Sequence, residues 1–459
     1  MNRKTPLWLA LVATCPTPTP AREPATSLDT CAVRPRERPI FDSAQRARID
    51  ALMRDMVTKQ IAPGAVVMVE QRGRIVYSAS YGQADAETKV PMRDDALFRI
   101  YSMTKPVTSV AVMQLVERGK LSLDTPVARF IPEFGKATVW TGAKGNPPET
   151  EPLKRPITIR DLLTHSAGLT YASSADNPIH RLYLTRGIPA GPGVAPPPKD
   201  GSAPIATAAV LASRIAPIPL MNQPGTRMTY GNATDVLGRV VEVVSGQRLS
   251  AYIERNILRP LGMTSTTFHL APGAARRLTS AYTTATQIPS TSDNVLGAAD
   301  PAALKAIKPF RIDAGATSIF LKPEPLEYGG AGLVGSTKDY LRFTRMLREG
   351  GRIGRMRILS RRSVDLMRAD QLTPEARAAS TMLGGLGFGY GFALRLAPTS
   401  AHPVFPQCGY FWGGAASTFF WVDPVGETSG VVMTQMFGGD VRSYYMAMLR
   451  TLYDRPRQR

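Results

Sequence analysis

The sequence is poor in the residues that build metal clusters and disulfide frameworks, with three cysteines and four histidines among 459 residues. Cys15, Cys31 and Cys408 have no metal-ligand or redox spacing. His165, His180, His269 and His402 each stand alone, so zinc-assisted hydrolysis lacks clustered ligands, and no metal or organic cofactor is expected. Cys31 and Cys408 could pair in an oxidising compartment if Cys15 is removed or lipidated; two unrelated thiols are the simpler expectation. Apart from a possible N-terminal anchor, no stretch reaches the roughly 18 uninterrupted apolar residues of a membrane span. The G-x-S-x-G elbow of Ser-His-Asp hydrolases is missing too.

Basic residues are abundant: 56 Lys and Arg against 36 Asp and Glu, a formal charge of +20. They are scattered, as in Arg345, Arg348, Arg352 and Arg355, without the interleaved aromatics of a nucleic-acid groove. A basic solvated surface and no nucleic-acid partner follow. The hydrophobic fraction of 43% is that of a soluble globular chain, and the length suits roughly two to three structural units.

Asn2, Arg3 and Lys4 precede an apolar stretch from Leu7 to Ala13 and a Pro-rich segment, the pattern of a short signal peptide. An exported protein, periplasmic or secreted, is expected. Cys15 sits where a lipoprotein cysteine would, but Thr14 replaces the usual small residue before it, so lipidation is kept only as an alternative. The reading divides the chain into signal and linker (1–40), the first part of an α/β domain (41–130), a largely helical insertion with long loops (131–324), and the second part of the α/β domain (325–459). Ser43–Val57 has helical spacing, Ala65–Val69 and Arg74–Tyr77 flank a turn at Gly73, and Met103–Arg118 is apolar on nearly every side with Gly119 as its cap. Phe392–Leu396, Ser417–Val422 and Gly430–Met436 read as strands before a final helix at Ser443–Tyr453. Strands at both ends with helices between predict one mixed, largely antiparallel sheet assembled from both termini. Three long connections, Thr141–Pro156, Ile188–Pro204 and Thr283–Gly315, are expected to border a cleft.

Chemistry concentrates in three places. Ser102 and Lys105 open the buried helix three residues apart, so the amine can lie beside the hydroxyl and take its proton, while the helix N-terminus supplies a positive field. Tyr230 and Asn232, before another helix, offer a phenol for proton relay and an amide to hold a substrate carbonyl or orient the lysine. Trp412, Gly413, Gly414 and Ala415 precede a strand; the glycines allow close approach to a ligand, and the N–H of Ala415 can complete an oxyanion hole with that of Ser102. Taken singly, the bland readings of these elements are surface residues, a packed tyrosine and a β-bulge.

In this order and spacing, with Ile157–Leu169, Pro260–Met263 and Gly332–Asp339, the chain resembles the serine β-lactamase and penicillin-binding protein superfamily from about residue 45 onward. It is most similar to the class C β-lactamase branch and, within it, to family VIII carboxylesterases. The resemblance implies Ser102 as nucleophile, Lys105 as general base, Tyr230 as second base and Asn232 as the Y-x-N asparagine, with His165 in a structural motif. Where the family's β-lactamases and peptidases carry K-T-G, this chain has Trp412-Gly413-Gly414. Loss of that cation argues against an anionic substrate. The expected function is a serine hydrolase working through an acyl-enzyme on a small-molecule ester or amide, foremost a carboxylesterase on uncharged acyl esters. The alternatives are a β-lactamase or DD-peptidase, an acyltransferase, and a penicillin-recognising sensor that does not turn over.

Overall fold

The computed structural model describes residues 41–453 except 144, 173–175, 194–195, 285–307, 323–325 and 397–403. The expected export signal, its linker, Cys15, Cys31, His402 and most of the Thr283–Gly315 connection lie outside the described residues. Cys408 is disulfide-bonded, which corrects the expectation of unrelated thiols. Spacing along a chain cannot say which cysteines come within bridging distance.

Helix α1 (Ser43–Thr58) is fixed at its start by a capping box. The Asp42 carboxylate accepts the Gln45 N–H at 2.7 Å, and the Gln45 side chain accepts the Asp42 N–H at 3.1 Å. Ile49, Met53 and Met56 bury one face, as their spacing predicts. The chain then forms β1 (Gly64–Gln71) and β2 (Arg74–Asp85), joined by Arg72 and Gly73, both with positive φ. That is the two-residue turn whose twist matches the strands it joins.

After the short β3 (Val90–Pro91), the remaining strands of the main sheet come from the far end of the chain. They are β4 (Gly387–Phe388), β5 (Ala393–Leu394), β6 (Tyr410–Gly414), β7 (Thr418–Asp423) and β8 (Thr428–Met433). The order is β4-β5-β6-β7-β8-β1-β2-β3, with every ladder antiparallel. The two halves meet where β1 lies beside β8, from Val66 opposite Met433 to Gln71 opposite Thr428. The expected strand Phe392–Leu396 shrinks to Ala393–Leu394, and β8 stops at Met433 because Met436–Phe437 leaves to pair with Ala281–Thr283.

Four of the further helices cover the sheet or frame the site: α2 (Thr104–Glu117), α3 (Ala233–Ser245), α4 (Thr337–Arg348) and α5 (Val441–Tyr453). Helix α4 crosses β1, β7 and β8; α1 pairs with α5 and touches β2. β1 is consequently buried from Gly64 to Glu70, which is why its sequence is a continuous apolar run and not an alternation. Helix α2 is buried from Thr104 to Leu115 and packs on α3. Each Val, Met or Leu it buries contributes roughly 1.5–3 kcal/mol. Its end is a Schellman motif, with Lys120 N–H bonded to Leu115 O at 3.0 Å and Gly119 N–H to Val116 O at 2.9 Å. Gly119 is required there for its φ of 66°, not for space.

Candidate active site

Ser102 stands just outside the α-helix, in a 3₁₀ turn (Tyr101–Met103) that runs into α2. Tyr101, before it, has a φ of 41°. A bulky residue in the left-handed region costs of order 1–3 kcal/mol and is held only where its surroundings over-determine it. Its ring is packed edge-on against Phe320 and Phe437.

Ser102 and Lys105 are both 1% exposed, and the lysine amine lies 3.0 Å from Ser102 Oγ. The same amine donates to Gly330 O at 2.9 Å and Tyr171 OH at 3.2 Å, so all three of its N–H bonds have acceptors when it is protonated. It also sits over the Tyr230 ring, 4.7 Å from the centroid. The Tyr230 ring is held among His165, Tyr171 and Trp412 at centroid distances of 4.7, 5.7 and 5.6 Å.

Several buried polar atoms here have no hydrogen-bond partner among the described residues: the Tyr230 hydroxyl, Asn232 Oδ1, Trp412 Nε1 and His165 Nδ1. Leaving such a group unsatisfied costs about 1–3 kcal/mol, so a cluster of them beside an amine and a hydroxyl marks a place built for something other than stability. Nor does any described hydrogen bond engage the N–H of Ser102 or of Ala415. The half of β6 from Trp412 to Gly414 is also open on one side, because β5 pairs only with Tyr410 and Phe411.

The structure brings Ser102, Lys105 and the Tyr230 ring together, and four other predicted residues take roles other than those expected. Trp412 is fully buried, tilted against Tyr230 and edge-on to Phe388 at 5.2 Å, so it supports the tyrosine instead of walling a cleft. Asn232 does not bond Lys105. Its amide nitrogen donates to Pro189 O at 3.0 Å and to Asp235 Oδ2 at 3.1 Å, which also removes it as a donor to substrate. Gly414 makes room for the protein itself, since a Cβ there would stand 2.3 Å from Ile100 O, two residues before Ser102. Gly413 meets a neighbouring strand, with Thr418 O at 2.9 Å from its would-be Cβ.

Sequence reasoning missed Tyr171, Gly330 and Asp235. Asp235 is buried on the first turn of α3, where an acidic residue usually complements the helix dipole. Here it accepts the Gly330 N–H at 2.9 Å while Gly330 O holds Lys105. Burial raises its carboxyl pKa, against the lowering by Lys105 and by these hydrogen bonds. Burial pushes the Tyr171 phenol well above 10, so it stays neutral. His165 is kept neutral, its pKa driven well below 6.5 by burial and then by Lys105. Arg442 was missed as well: it shares a small cavity with Gly413, Gly414, Ser417 and Thr418 and has no ion pair among the described residues.

A buried hydroxyl in contact with an amine, a phenol ring packed against that amine with its hydroxyl unpartnered, and two unengaged N–H groups can deprotonate an alcohol and stabilise an oxyanion. Comparison with known proteins agrees. The family profile described as Beta-lactamase matches residues 49–454. The chain is 36% identical over 381 residues to Protein Rv1367c of Mycobacterium tuberculosis, covering 82% of this chain and 86% of that one. It is 33% identical over 390 residues to Esterase EstB of Burkholderia gladioli, covering 84% and 90%. Among solved structures it is similar to EstCE1, a hydrolase with promiscuous acyltransferase activity, at a TM-score of 0.71 and 27% identity, covering 91% of this chain and all of that one.

Proposed function

The chain belongs to the beta-lactamase family, and on that footing we propose that it is a carboxylesterase that works through an acyl-enzyme on Ser102. The observation carrying this reading is the 3.0 Å contact between Ser102 Oγ and the buried Lys105 amine, with the Tyr230 ring centroid 4.7 Å from the same amine and its hydroxyl unpartnered. Ser102 Oγ attacks the ester carbonyl and its proton passes to the Lys105–Tyr230 pair. The N–H groups of Ser102 and Ala415 stabilise the oxyanion, and the alcohol leaves with the proton returned through Tyr230. Water repeats the sequence on the acyl-enzyme, and the acid is released. Trp412 in place of a lysine supports an uncharged acyl group, and the esterase among its relatives supports the reaction class. The pattern Asn2 to Ala13 supports export.

A second reading is favoured by Arg442. A guanidinium beside Gly413 and Gly414 returns a cation near the third motif and supports hydrolysis of a carboxylate-bearing substrate such as a β-lactam. Turnover of a short-chain p-nitrophenyl ester and of a chromogenic cephalosporin separates the two. Esterase turnover with negligible cephalosporin hydrolysis is expected; fast cephalosporin hydrolysis that Arg442→Ala abolishes, with a negligible ester rate, establishes the second reading. Stoichiometric labelling of Ser102 that never regenerates refutes turnover altogether.

A further inference from the structure

At the opposite end of β6 from Ala415 lies a second cavity, of about 610 Å³, lined by the β1–β2 and β7–β8 turns, the end of α4 and the helix Arg361–Met367. Tyr410 is its link to the catalytic strand, four residues or roughly 13 Å from Gly414. Six arginines line the cavity against three carboxylates, with a fourth, Glu70, paired to Arg348 and Arg345 behind the lining. A ring of surface ion pairs would account for an equal number, but not for this excess or for the unmade bonds at its floor.

Tyr410 is 1% exposed, and its hydroxyl has no partner among the described residues. Arg348 bonds Glu70 at 2.6 Å, yet its buried Nε has no acceptor. Arg368 pairs with Asp365 at 2.8 Å, and Arg361 reaches the same carboxylate only at 3.7 Å from an exposed position. Arg352 has no ion pair among the described residues. Arg72 pairs with Glu427 at 3.4 Å and Arg345 with Glu349 at 2.7 Å, so six guanidiniums share four carboxylates, and the bonds left unmade are those of Arg352, the Arg348 Nε and the Tyr410 hydroxyl.

We propose that this cavity is a binding site for clustered phosphate groups, separate from the ester-hydrolysing centre. Phosphate offers several strong acceptor oxygens and more than one negative charge, the match for paired guanidinium forks with a phenol donor, and the volume admits more than one such group. Arg368, Arg348 and Tyr410 form the floor; Arg361 stands at the mouth.

The full chain is titrated calorimetrically with pyrophosphate and, in a second arm, sedimented with phosphatidylglycerol vesicles, which separates free phosphate from lipid headgroups as the source. Tyr410→Phe removes only the orphaned hydroxyl and keeps the ring stacked on Phe392. It is expected to weaken binding about tenfold, as are Arg361→Gln and Arg368→Gln, while Arg276→Gln, an exposed arginine elsewhere, changes nothing. Thermal melting confirms that the variants are folded. Binding in either arm with this pattern supports the site and names its source. No binding in either arm, or binding that Arg276→Gln weakens as much as the cavity variants, overturns it, because the overall charge of +20 then explains the attraction.

Discussion

Replacing Asp235 by Asn tests whether a buried carboxylate governs the charge beside Ser102. A Cβ built on Gly330 would lie 3.1 Å from Asp235 Oδ2 and 3.3 Å from Lys105 Nζ, so carboxylate and amine are at most 6.4 Å apart. At an effective dielectric constant of about 20, the attraction of a carboxylate and an ammonium at that distance is about 2.6 kcal/mol, equivalent to roughly 80-fold in a rate. Asp235 also fixes the Gly330 N–H, whose carbonyl holds the lysine beside Ser102. The expected outcome is a fall of up to roughly 80-fold in kcat/KM for a p-nitrophenyl ester, carried by kcat. The variant also loses about 1–3 kcal/mol of stability, because the Gly330 N–H and the Asn232 amide lose a charged acceptor. Melting curves separate that cost from the catalytic effect. A folded Asp235→Asn protein with the kcat/KM of the parent would refute the reasoning.

Tyr230→Phe should lower kcat by about 10²–10⁴-fold with little change in KM, whereas Tyr171→Phe, which removes one neutral hydrogen-bond partner of Lys105, should cost about tenfold or less in steady-state kinetics. Ser102→Ala should abolish covalent labelling by a fluorophosphonate probe, read by intact-protein mass spectrometry, and a labelled Ser102→Ala protein would place the nucleophile elsewhere. Gly414→Ala should destabilise the protein by several kcal/mol in denaturant unfolding, since backbone at Ile100 blocks the new methyl at 2.3 Å. His165 resists protonation when folded but takes a proton near pH 6.5 when unfolded, so its contribution is complete above pH 6.5 and is lost as pH falls below it. Melting temperature should drop between pH 7 and 5, and His165→Gln should flatten that slope.

The contact between Ser102 and Lys105 was legible because three residues along a helix dictate a shared face, and the fold was legible because strand patterns recur at both ends of the chain. Gly119 was readable too, since only a left-handed residue ends such an apolar helix so abruptly. Tyr171 and Gly330 were not. They reach Lys105 from 66 and 225 residues away, and no local periodicity encodes such meetings. Asn232 was placed in the right pocket with the wrong partner, because an amide and a carboxylate at i and i+3 satisfy each other before either meets the lysine. Trp412 was taken as a wall since sequence reveals the residue type but not whether another ring, here that of Tyr230, stands in front of it.

The pairing of β1 with β8 joins residues more than 350 positions apart, at the middle of the sheet. A nascent chain can form its first hairpin early, but that hairpin waits with one flank open until Thr428–Met433 has been synthesised. Folding must therefore be late and slow, with loop closure completed before the pairing gives any return. A product truncated even thirty-odd residues short of its end lacks the strand that seals the gap. It would offer that flank to other chains, and aggregation, not a weakened enzyme, is the fate the topology assigns it.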